Sequence, residues 1–129
     1  MTDHVLPSPT HAELDILGVL WRRGPSTVRA VLEALGERRP VGYTTVLKLL
    51  QIMTDKGLVT RDAATRTHVY TAALSEATTQ RRLVSDLMDR AFGGSARDLV
   101  LQALSGRPAR PDELDAIRRL LDDLEGGIS

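Results

Sequence analysis

Apolar residues recur at helical spacing through most of this chain. Leu14, Leu17 and Trp21 share one face of a first segment, and Ile16 and Leu20 widen the stripe. Thr10 with Glu13 three residues on has the form of a capping box, and Pro25 disfavours helical geometry in the residue before it. A helix over about 11–23 follows. Ser26 and Thr27 offer a cap for a second helix, in which Val28, Val31, Leu32 and Leu35 line one face until Gly36. A turn-rich stretch from Glu37 to Gly42 leads to a third, Tyr43 to Lys56, with Val46, Leu49, Leu50 and Met53 on its apolar side and Gly57 as its stop. Leu58-Val59-Thr60-Arg61 and Thr67-His68-Val69-Tyr70 are then short runs of β-formers joined by the polar loop Asp62 to Arg66, the pattern of a β-hairpin.

Only helical signals follow. Ser75 to Ala91 carries Val84, Leu87, Met88 and Ala91; Ser95 to Leu104 carries Leu99, Val100, Ala103 and Leu104; Pro111 to Leu124 carries Leu114, Ile117, Leu121 and Leu124. Phe92-Gly93-Gly94-Ser95 and Ser105-Gly106-Arg107-Pro108 read as breaks between them. Three helices and a hairpin within residues 10–72 is the order of a winged helix-turn-helix, with the hairpin as wing and the third helix placed to enter the major groove. The expected fold is mainly α: this N-terminal domain, a flexible tail over 1–9, and a three-helix C-terminal region over 73–129. Three amphipathic helices in so short a region bury too little of their apolar surface alone. A second copy is the simplest cover, so a homodimer is expected, built on Val84, Leu87, Met88, Phe92, Leu99, Val100, Leu104, Leu114, Ile117, Leu121 and Leu124.

Composition narrows the chemistry. The 129 residues carry 17 basic and 17 acidic side chains and are 42% apolar, as in a soluble globular protein. Residues 1–72 hold nine basic and seven acidic groups, whereas 111–129 hold two and six, so a polyanion is expected to meet the first half. With no cysteine there is no disulfide, thiolate metal site or cysteine nucleophile, which fits a cytoplasmic address. Four aromatic residues are too few for a base-stacking platform. No signal peptide or membrane span is read, and no membrane insertion is expected. The three histidines are scattered over tail, helix start and strand, without a metal-ligand pattern or a paired carboxylate; no cofactor, metal or catalytic residue is expected, and the chain is not expected to be an enzyme.

The third helix is the most informative element. On a helical wheel Thr44, Lys48, Gln51 and Asp55 cluster opposite the apolar stripe, bordered by Thr45 and Ile52. Gln pairs with adenine, Lys with guanine or phosphate, and Thr or Ile with a thymine methyl. Any solvated helix face contains such residues; the hairpin that follows decides for double-stranded DNA. Arg61, Arg66 and His68 on the wing supply further basic groups, Arg66 beside the loop tip. Ser26, Thr27 and Arg29 at the start of the second helix are phosphate-contact candidates, since helix N-termini favour anions, although capping alone also explains the first two. Two rival functions fit the same residues: a winged-helix regulator that responds to a small molecule, and a winged-helix protein-interaction module.

Leu17-Gly-Val-Leu-Trp21, Ser26-Thr-Val-Arg-Ala-Val-Leu-Glu-Ala-Leu35, Tyr43-Thr-Thr-Val-Leu47, Leu49-Leu-Gln51, Lys56-Gly-Leu-Val59 and Val69-Tyr70 together resemble the penicillinase-repressor family, the BlaI and MecI type. The similarity continues through Phe92-Gly-Gly-Ser95, Leu99-Val100 and Glu113-Leu114 to Leu121, and spans about residues 10–124. The resemblance implies a dimeric repressor on a dyad operator that controls β-lactam resistance or related stress genes. It also implies a membrane sensor peptidase as partner, which relieves repression by cleaving between the DNA-binding and dimerisation parts. Base reading then falls on Thr44, Thr45, Lys48 and Gln51, with Tyr43 at the helix entrance and Arg66 on the wing. Many relatives have Arg where this chain has Ile52, and Thr where it has Lys48; the Asn-Phe cleavage site of staphylococcal members aligns with Gln102-Ala103.

Overall fold

The structure, a computed structural model, describes residues 8–36, 40–64 and 66–127. Most of the expected tail, part of the turn after Gly36, and Thr65 in the wing loop lie outside the described residues. Among the described residues the chain forms six helices and one two-stranded antiparallel sheet, in the order α1 (His11–Arg23), α2 (Val28–Leu35), α3 (Tyr43–Lys56), β1 (Val59–Asp62), β2 (Val69–Ala72), α4 (Glu76–Ala91), α5 (Ala96–Gly106) and α6 (Pro111–Gly126).

Local chemistry sets the helix ends where the sequence pattern puts them. The Thr10 hydroxyl accepts from the Glu13 amide at 3.2 Å while the Glu13 carboxylate accepts from the Thr10 amide at 2.9 Å, so the capping box of α1 is complete. Thr27, not Ser26, caps α2, its hydroxyl accepting from the Ala30 amide at 3.1 Å. Gly57 ends α3 in the left-handed region at φ 83°, which a side chain would strain, and the Leu58 amide returns to the Met53 carbonyl at 2.9 Å. Ser75 and Ser95 cap α4 and α5. The break expected from Ser105 falls slightly later, since α5 continues to Gly106.

The hairpin is displaced from its expected strands. Because the Leu58 amide serves the helix stop, the ladder starts one residue on, pairing Val59 with Ala72 and Asp62 with Val69. Thr67 and His68 consequently fall in the loop, which starts with the Asp62 carboxylate accepting from the Ala64 amide at 2.9 Å. An isolated β-bridge beside the hairpin was not legible in the pattern. Ser26 forms a bridge with Tyr70, each amide donating to the other's carbonyl, at 3.0 and 2.8 Å.

The chain divides into two compact units, Met1–Leu83 and Val84–Ser129. The division lies within α4 and not at residue 72. The start of α4 belongs with the first unit, where Thr79 is buried and the Trp21 indole donates to the Leu74 carbonyl at 3.0 Å. In that unit one apolar core gathers Ile16, Leu17, Val19 and Leu20 from α1, Val28, Val31 and Leu35 from α2, Val46, Leu50 and Met53 from α3, and Leu58, Val59 and Tyr70 from the hairpin. Leu14, Trp21, Leu32 and Leu49, expected on core faces, pack against it partly buried. The second unit has a different character. Neither α5 nor α6 buries a single residue, and Leu120, Leu121 and Leu124 are each more than half exposed.

Candidate nucleic-acid interface

Helix α3 is held by its apolar side. Val46, Leu50 and Met53 are fully buried, and this anchorage turns Tyr43, Thr44, Thr45, Lys48, Gln51 and Ile52 outward, all of them exposed. The six residues expected to face DNA on this helix therefore lie together on one accessible surface. They present three hydroxyls, one ammonium, one amide and the apolar surfaces of the Tyr43 ring and Ile52, a set able to form hydrogen bonds to base edges and phosphates and to touch thymine methyls. Lys56, at the last turn of the same helix, is committed elsewhere. Its ammonium lies 2.9 Å from both oxygens of the Glu13 carboxylate.

That ion pair escaped the sequence reading. Glu13 is identifiable there as a capping residue, yet it is also buried and ties the start of α1 to the end of α3. Burial raises the pKa of its carboxyl, but the Thr10 hydrogen bond and the Lys56 charge together outweigh it and hold the group below its ordinary value of 4.5. No local pattern identifies Lys56 as the partner, because the pairing exists only once α1 and α3 have packed.

Around this exposed face of α3 the remaining candidates separate. Arg66 and His68 lie exposed in the wing loop, and Arg61 is exposed on β1 opposite Tyr70. Arg29 is exposed at the start of α2, with its guanidinium 5.2 Å from the centre of the Tyr43 ring, so the beginnings of α2 and α3 meet there. Ser26 does not belong with these residues. It is buried, its amide and carbonyl both pair with Tyr70, and its hydroxyl donates to the Gly24 carbonyl at 2.9 Å. The serine is held in an isolated β-bridge, which removes it from the accessible surface. Thr27 is half-buried, with its hydroxyl engaged in the cap.

The penicillinase repressor family profile matches residues 9–123. The chain belongs to the penicillinase repressor family. Among its relatives, the transcriptional regulator BlaI of Mycobacterium tuberculosis is 36% identical over 116 residues, covering 89% of this chain and 83% of that protein. The penicillinase repressor of Staphylococcus aureus is 18% identical over 113 residues, covering 88% of this chain and 90% of the relative. In three dimensions, the solution structure of the DNA-binding domain of the repressor BlaI matches 57% of this chain and 89% of its own, with TM-score 0.50 and 23% identity. The complex structure of hsRosR-S4 matches 96% of both chains with TM-score 0.53 and 19% identity. These likenesses establish the winged-helix fold. As a penicillinase repressor family member, the chain is a transcriptional repressor and not an enzyme.

Proposed function

We propose that this repressor acts as a homodimer on a dyad operator, each α3 lying in a major groove and each wing touching the flanking backbone. The observation that carries the reading is the outward face of α3, where Tyr43, Thr44, Thr45, Lys48, Gln51 and Ile52 are exposed together while the opposite face is locked into the core. Lys48 and Gln51 read bases or bind phosphate; Thr44 and Thr45 bind phosphate or a thymine methyl; Ile52 contacts an apolar base edge. Arg29, Arg66 and His68 add contacts to the backbone, with Thr27 near the start of α2.

Dimerisation falls to the C-terminal region. Val84, Leu87, Val100, Leu104, Leu121 and Leu124 are exposed, and Met88, Phe92, Leu99, Leu114 and Ile117 are only partly covered. So much accessible apolar surface is unfavourable for an isolated monomer and marks a surface for association. Two-fold pairing would set two reading heads on successive major grooves, roughly 34 to 36 Å apart, and repression would follow from obstruction of polymerase. Such a repressor works where the DNA is, in the cytoplasm; among the described residues no helix is long and apolar enough to cross a membrane. The names of the relatives support control of β-lactam resistance genes. Relief would come from a sensor peptidase acting on the C-terminal region, where the Gln102-Ala103 bond lies in the exposed helix α5.

Selection of duplexes from random sequence, with affinity followed against salt, tests the central reading. A dyad motif whose binding falls steeply with salt is expected. Enrichment of no motif by a folded protein would overturn it. Exposure of cells carrying a sensor peptidase to a β-lactam, with the repressor followed by immunoblot, tests the relief step; a chain that stays intact while its genes are induced would overturn cleavage.

A further inference from the structure

Arg29 is the second residue of α2 and Tyr43 the first of α3. The helices are locked together below them by Val28, Val31, Val46 and Leu50, all in the core. This packing brings the guanidinium carbon of Arg29 to 5.2 Å from the Tyr43 ring centre, within the range of a cation–π contact. Both side chains are exposed, the tyrosine by 44%. Arg29 makes no ion pair with another described residue. A guanidinium attracted to a ring face through its charge does not spend its N–H donors on the ring's carbon atoms, so they stay available to a phosphate.

We infer that Arg29 and Tyr43 engage the DNA backbone as one unit, in which the tyrosine is a positioning residue that holds the guanidinium beside the entrance of the recognition helix. The inference rests on the DNA reading above and adds a division of labour to it. A long arginine chain loses rotamer freedom when it binds, and the prior contact with the ring removes part of that loss before DNA arrives. Tyr43 thus governs an electrostatic contact although it carries no charge.

The uncharged tyrosine makes the inference testable. Binding of the full chain to the duplex it selects is measured against salt for Arg29→Gln, Tyr43→Leu, Tyr43→Phe and the double variant Arg29→Gln with Tyr43→Leu. Arg29→Gln should lower the slope of log K against log salt by about 0.9 per head, the value for one phosphate that is no longer neutralised. Tyr43→Leu should lower the slope in the same direction and weaken binding about two- to five-fold, the worth of an exposed cation–π contact. Tyr43→Phe should keep the wild-type slope, and the double variant should bind no worse than Arg29→Gln alone. A wild-type slope in Tyr43→Leu, or effects that simply add in the double variant, would overturn the inference while the DNA reading stands. Failure of the wild-type protein to select any duplex would overturn both.

Discussion

The ammonium of Lys56 sits 2.9 Å from both carboxylate oxygens of Glu13, so the last residue of α3 is tied to the first turn of α1. The carboxylate is 2% exposed and the lysine side chain 27%. Glu13 also closes the α1 capping box, and a single side chain thereby fixes a helix start and a helix-to-helix contact.

Glu13→Gln should retain much of the cap but lose the charge, at a cost of about 1.5 to 3 kcal/mol in folding stability near neutral pH, the range for a hydrogen bond to a charged group. The pH dependence has a definite sign. The Glu13 pKa is lowered by folding, so its contribution is complete above the unfolded-state value, near 4.5, and fades as pH falls through the lower folded-state value. Denaturant melts of the two proteins should accordingly converge as pH drops below about 4.5. A stability gap that stays constant from pH 7 to strongly acidic conditions would show that the ion pair is not its source.

Leu50→Ala should destabilise the first unit by about 2 to 5 kcal/mol, since the leucine is fully buried beneath α3 and its removal leaves a cavity. Trp21, the one tryptophan of the chain, reports on the same core by fluorescence. A change below about 0.5 kcal/mol, the range of surface substitutions, would contradict this packing.

Much of this core was legible because helical periodicity is local. Leu17, Val31, Val46, Leu50 and Met53 lie on the stripes their spacing defines, and the caps at Thr10 and Thr27 follow from side-chain chemistry within three residues. What escaped is long-range. Ser26 has the appearance of a cap because serine before a helix commonly is one, and only the approach of Tyr70 draws it into a β-bridge. The wing strands shifted because the Leu58 amide was claimed by the end of α3, a competition that β-propensity does not encode. The exposed face of α3 was legible from the wheel, whereas the Arg29–Tyr43 contact needed the packing of α2 on α3.

Lys48→Ala should leave folding stability within about 0.5 kcal/mol, because the side chain is exposed on the face opposite Leu50. Operator affinity should nevertheless fall. If Lys48 meets a phosphate, the weakening is uniform across sequences and the salt slope drops by about 0.9 per head. If it meets guanine, discrimination at one position relaxes by about 1 to 3 kcal/mol. Titration of the variant against the selected duplex and its single-base variants separates these outcomes, and unchanged affinity would remove Lys48 from the contact set.

In the proposed dimer, Leu121→Asp combined with Leu124→Asp should break the pairing and leave a monomer. Both leucines are more than half exposed on α6, a helix that buries none of its residues, so the substitutions disturb little packing within the chain. In a dimer interface they would place two carboxylates per chain in an apolar setting, where an unpaired charge is strongly unfavourable. Sedimentation equilibrium at micromolar concentration should register the change in mass. Binding to a full dyad should weaken towards that of a half-site, because the second head no longer gains from being tethered to the first. Folding of the first unit should be unaffected, as its core draws on neither residue. A variant that remains dimeric would place the association surface elsewhere than on this face of α6.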